Sequence, residues 1–97
     1  MFFWKKSSRP FPADTVKVVI YSKPECHLCE QAKVQLLRIQ KRHGFQLDEV
    51  DISRDEKLLA KFGTRIPVIW VNGRLLSKYR VDEKRLLEFL REGDEKR

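Results

Sequence analysis

Apolar residues along the chain fall into two rhythms, and each change of rhythm marks an element. Val16 to Tyr21 (VKVVIY) is short and rich in β-branched residues, the signature of a buried strand. Ser22-Lys23-Pro24-Glu25 breaks it. From Cys26 to about His43 the apolar positions Leu28, Ala32, Leu36 and Ile39 recur at helical steps and predict one apolar face. Gly44, following the basic run Lys41-Arg42-His43, stops that helix. Phe45 to Asp51 alternates imperfectly, with Phe45, Leu47 and Val50 apolar, and reads as a second strand. Ser53 and Asp55 can cap a short helix carrying Leu58, Leu59 and Phe62 and ending near Gly63.

Ile66 to Val71 is another apolar run, and Pro67, which has no N–H for a ladder, belongs at its entrance. Asn72-Gly73 signals a two-residue hairpin, so Arg74 to Ser77 should return as an edge strand. Asp82 is a suitable N-cap for a last helix whose apolar face holds Leu86, Leu87, Phe89 and Leu90. The order β-α-β-α-β-β-α places the chain in the α/β class. A right-handed helical crossover joins the first two strands in parallel, and a hairpin adds an antiparallel half. The expected architecture is a four-stranded mixed sheet covered by helices. Residues 1–15, interrupted by Pro10 and Pro12, read as an irregular leader, 16–92 as the single domain and 93–97 as a solvated tail.

Composition adds little to this picture and removes some alternatives. A chain of 97 residues, 41% hydrophobic, supports one core and no second domain. The net charge of +7 hints at an anionic partner. However, Lys41, Arg42 and His43 sit where cations offset a helix dipole, and Lys5, Lys6, Arg9, Lys96 and Arg97 lie in terminal segments. Basicity without a recognition motif argues against nucleic acid as the partner. Met1 to Trp4 is shorter than a signal-peptide core of about 7–15 apolar residues or a membrane span of about 20. No membrane association is expected. A reducing cytoplasm is the expected setting, with an organellar destination also compatible, and a monomer is the expected state.

The chemistry rests on Cys26-His27-Leu28-Cys29 at the junction of the first strand and the first helix. Two cysteines this close make a poor structural staple, because the stabilisation from a disulfide grows with the loop it closes. A helix start instead offers unpaired N–H groups and the positive end of the dipole to a thiolate. Cys26, at the very start, is therefore the candidate nucleophile and Cys29, one turn in, the resolving thiol. His27 would modulate the pair if protonated, or else is an exposed histidine without a role. Lys23 could favour the thiolate or hold a substrate carboxylate, or is simply a solvated loop lysine. A closed zinc site needs four ligands, and only His27 and His43 accompany the cysteines. His43 would be ~25 Å away along the helix. No metal ligand is assigned, although a metal shared between two chains stays open.

These residues resemble the glutaredoxin branch of the thioredoxin superfamily, in particular its small glutaredoxin-like proteins. The resemblance runs from about Val16 to Leu90. It is carried by Tyr21-Ser22-Lys23-Pro24-Glu25-Cys26-His27-Leu28-Cys29, by Arg65-Ile66-Pro67-Val68 and by Val71-Asn72-Gly73. It implies a thioredoxin-like fold of the glutaredoxin type and a thiol–disulfide oxidoreductase acting on a disulfide-containing protein or a small thiol. It also implies a cis Pro67 facing the cysteines, with the backbone of Ile66 left to pair with a substrate. No bound cofactor is required, and glutathione is a possible electron donor. The chain departs from the glutaredoxin pattern in three places: His27-Leu28 between the cysteines, Arg65 two positions before the proline where threonine is usual, and Ser77-Lys78-Tyr79-Arg80 where glycines and an acidic residue bind glutathione. Lys23 and Arg65 could still attract its carboxylates, so glutathione binding is expected to be weak or atypical. A non-catalytic redox-sensing or protein-docking adaptor is the alternative on the same fold, and an iron–sulfur or metal carrier is a third reading.

Overall fold

The computed structural model describes residues 16–95, with side chains through Arg91. The leader expected over residues 1–15 lies outside the described residues. The elements are β1 (Lys17–Ser22), α1 (His27–His43), β2 (Gln46–Asp51), α2 (Glu56–Phe62), β3 (Val68–Val71), β4 (Arg74–Lys78) and α3 (Glu83–Glu95). A single 3-10 turn at Ile52–Arg54 joins β2 to α2. Their order matches the hydrophobic pattern. The sheet runs β2-β1-β3-β4, with β1 parallel to β2 and antiparallel to β3, and β3 antiparallel to β4. Asn72 and Gly73 both take positive φ, 51° and 81°, as the tight β3–β4 turn requires.

The pleat divides the core into two parts. Val18, Ile20, Ile69 and Val71 point to one face, where Ala32, Leu36 and Ile39 of α1 and Leu86 and Leu90 of α3 cover them. Tyr21, Val50, Val68 and Trp70 share a second cluster, covered by Leu58 and Phe62 of α2. Cys29, Ile52 and Ile66 belong to this second cluster, which therefore adjoins the start of α1. Burial of that kind contributes roughly 25 cal/mol per Å² of apolar surface.

Four local expectations need correction. Helix α1 begins at His27, and Cys26 is its N-cap. Leu28 is 48% exposed, because fully buried Cys29 takes the inward position of the first turn. Its neighbour is thereby carried about 100° round the helix, toward solvent. Ser53 lies inside the 3-10 turn, where Asp51 accepts its N–H, so Asp55 alone caps α2. Helix α3 continues to Glu95, into the stretch expected as tail. Among the described residues no helix is long and apolar enough to cross a membrane.

Candidate functional site

The site is built where β1 ends and α1 begins. After Ser22, Pro24 opens a turn and Glu25 closes it at φ 61°, a left-handed conformation that L residues other than Asn and Asp seldom hold. The turn delivers Cys26 in an extended conformation (φ −105°, ψ 108°) suited to an N-cap. Its Sγ accepts the N–H of Cys29 at 3.2 Å, and its carbonyl accepts the N–H of Glu30 at 3.0 Å. The two cysteines are joined as a disulfide, with Cα atoms 5.2 Å apart. Cys26 is half-buried and Cys29 has no exposed surface, so an incoming molecule meets Cys26 first. Once the bond is opened, the capping N–H and the helix dipole both favour negative charge on the Cys26 sulfur. Burial disfavours it on Cys29.

Pro67 stands just before β3, fully buried, and the Ile66–Pro67 peptide bond is cis, as the resemblance implies. Ile66 packs in the same cluster as Cys29 and Val68. Its backbone N–H and carbonyl join no hydrogen bond among the described residues, whereas the Pro67 carbonyl accepts the N–H of Tyr79 at 2.7 Å. The fold thus brings the Cys26–Cys29 segment beside the Ile66–Pro67 segment, two stretches that lie far apart in the chain. Lys23, partly buried in the β1–α1 turn, and Arg65, exposed beside Ile66, flank this group in the chain. Neither side chain pairs with a described residue. His27 is exposed, and a ring nitrogen lies 3.1 Å from Gln31 Nε2, one helical turn on and facing away from the buried sulfur of Cys29.

Sequence reasoning passed over three features. The first is a polar clasp. The buried Ser22 hydroxyl donates to Glu49 at 2.6 Å, and Lys33, one turn past Cys29 on α1, contacts Glu49 at 3.2 Å and Glu30 at 3.1 Å. The Ser22 hydrogen bond and then Lys33 hold the Glu49 carboxyl below its ordinary value. Glu30 and then Glu49 raise Lys33. The clasp ties β1, β2 and α1 together beside the cysteines. The second is an aromatic trio on the second face: Tyr21 and Trp70 lie 5.6 Å apart, and Phe62 meets both edge-on at 5.3 and 5.9 Å. The indole N–H of Trp70 is buried there without a hydrogen-bond acceptor. The third is the pair of left-handed residues Glu25 and Tyr79, at φ 61° and 73°. Pro24 followed by a turn could have signalled Glu25; no local pattern signals Tyr79.

Comparison with known proteins agrees with this geometry. Residues 17–91 match the family model described as Glutaredoxin-like domain (DUF836). The Mycobacterium tuberculosis protein Rv0508 is 31% identical over 75 residues, covering 72% of this chain and 77% of that protein. A Dictyostelium discoideum protein described as a glutaredoxin-like protein, YDR286C homolog, is 24% identical over 78 residues, covering 74% of this chain and 72% of its own. Among solved structures, protein Ne2328 from Nitrosomonas europaea superposes with a TM-score of 0.69 at 26% identity, covering 89% of this chain and 98% of that one. Thioredoxin-2 of a malaria parasite superposes with a TM-score of 0.61 at 25% identity, covering 80% of this chain and 82% of that one. A thioredoxin fold with a Cys26–Cys29 disulfide at a helix start fits a redox role, and the chain belongs to the glutaredoxin-like family of the thioredoxin superfamily.

Proposed function

We propose that the protein is a thiol–disulfide oxidoreductase whose reduced form passes two electrons to a substrate disulfide. The observation that carries this reading is the unequal placement of two bonded sulfurs: Cys26 half-exposed at the N-cap, Cys29 buried behind it. The Cys26 thiolate attacks one sulfur of the substrate, forming a mixed disulfide and releasing the first substrate thiolate, which takes up a proton. Cys29 then loses its proton and attacks the Cys26 sulfur. The second substrate thiol leaves, and the Cys26–Cys29 disulfide is regenerated. A thiol donor, glutathione or a reductase partner, must reduce that disulfide before the next cycle. No bound cofactor enters the scheme.

Ile66 supports substrate binding by offering a backbone N–H and carbonyl beside Pro67 to a strand-like segment. Lys23 and Arg65 supply cations for carboxylates next to the reacting sulfur. His27 modulates the pair through its charge when protonated. The proposed setting is the reducing cytoplasm, with the protein acting as a monomer.

The test is a trapping pair. Cys29→Ser should accumulate a mixed disulfide on Cys26 with an oxidised substrate, detected by mass spectrometry, whereas Cys26→Ser should not. Equal trapping by both variants refutes the assignment of roles. Failure of the native chain to reduce any disulfide above the rate of free dithiol refutes catalysis and leaves the adaptor reading.

A further inference from the structure

Tyr79 is held in an unusual state for its residue type. Its φ of 73° lies in the left-handed region, where a side chain crowds its own backbone and where glycine or asparagine would sit with less strain. Two hydrogen bonds impose the conformation. The Tyr79 N–H donates to the Pro67 carbonyl at 2.7 Å, and the Ser77 hydroxyl donates to the Arg80 carbonyl at 2.8 Å, closing the turn between β4 and α3. The backbone needs this shape; it does not need tyrosine. Nor does the core, because the side chain is 50% exposed and belongs to neither buried cluster.

Its position is what gives the ring a use. Lys78 pairs with Val68 in the β3–β4 register, and Val68 packs with Cys29 and Ile66. The hydrogen bond to the Pro67 carbonyl therefore fixes the Tyr79 backbone against the segment that meets the cysteines, one residue from Ile66. On either side stand Lys78 and Arg80, both exposed, and residues 77–80 carry no carboxylate. An exposed, rigidly based aromatic between two cations is a contact surface with a charge preference. Aromatic rings supply much of the energy of protein contacts at small entropic cost.

We infer that Tyr79 is a specificity-determining residue, whose ring packs on the polypeptide flanking the disulfide to be reduced and selects protein disulfides with acidic neighbours. Lys78 and Arg80 supply the charge complementarity. This inference rests on the oxidoreductase reading above and names its substrate class. Oxidised glutathione is anionic too, so Lys78 and Arg80 do not separate it from a polypeptide; the ring does, because it packs on chain beyond the residues that flank a tripeptide's cystine.

The experiment compares the native chain with Tyr79→Gly and Tyr79→Phe, using insulin, an acidic polypeptide disulfide, and oxidised glutathione as the two substrates. Tyr79→Gly should raise KM for insulin about three- to tenfold, the worth of one aromatic contact, with kcat within about twofold. Tyr79→Phe should restore the native KM. The urea midpoint of Tyr79→Gly should equal or exceed that of the native chain, since the left-handed conformation then carries no side chain. A native chain that reduces insulin no differently from Tyr79→Gly overturns the inference alone. The same holds if Tyr79→Gly raises KM while its urea midpoint falls, because the ring would then be structural. An equal rise in KM for glutathione would also overturn it. A native chain inert toward both substrates overturns the inference together with the oxidoreductase reading.

Discussion

Glu49→Ala and Ser22→Ala remove the two ends of one hydrogen bond, yet they should not cost the same. Ser22 is 2% exposed and its hydroxyl has Glu49 as its partner at 2.6 Å. Removing the carboxylate strands that buried donor, a loss of about 1–3 kcal/mol. Glu49 itself is 43% exposed, so water can reach its place and the lower half of that range applies, about 1–2 kcal/mol. The ion pair with Lys33 adds on the order of 0–1 kcal/mol on such an open surface. Removing Ser22 instead leaves a carboxylate that is still solvated and paired, and about 0.5–1.5 kcal/mol should be lost. Because both variants delete the same bond, the double variant should fall short of the sum by about 0.5–1 kcal/mol. Urea unfolding at pH 7 with the disulfide intact measures all four chains through midpoint and slope. Additivity within about 0.3 kcal/mol would refute the clasp as a coupled unit. The pH dependence checks it independently. The Glu49 carboxyl is held below its ordinary value of 4.5, so its contribution is fully present above that value and disappears as pH falls through the lower folded value. The gap between native chain and Glu49→Ala should therefore close in acid. Lys33 is raised above 10.5, so its contribution is present below that pH and is lost only at still higher pH.

Two further outcomes concern the frame around the site. Asp55 Oδ1 accepts the N–H groups of Lys57 at 2.9 Å and Leu58 at 3.1 Å, so Asp55→Ala should cost about 1 kcal/mol by urea titration. An unchanged midpoint would show that the cap carries no weight. Leu36, fully buried between α1 and the sheet, should cost about 2–5 kcal/mol on truncation to alanine, far more than exposed Leu37→Ala. Equal losses from the two would refute the placement of the α1 face.

The elements of this fold were written locally. Val16 to Tyr21, the α1 stripe, Asn72-Gly73 and the Asp55 and Asp82 caps each act through near neighbours, and the Asp82 carboxylate indeed accepts the N–H of Arg85 at 3.1 Å. Cys26 was placed at a helix start for the same reason, since turn and helix signals flank it. Burial within the first helical turn was not legible, because Leu28 and Cys29 are both acceptable inward residues. Only docking against Ile52, Ile66 and Val68 chose Cys29. The clasp of Ser22, Glu49 and Lys33 joins three elements by contacts with no sequence periodicity. Tyr79 is the extreme case, its conformation set by the Pro67 carbonyl across the sheet. Sequence alone determined which sulfur leads the helix. Tertiary packing decided which sulfur is hidden and what surrounds the one that is not, because burial is a property of opposing surfaces and local patterns carry no record of their partners.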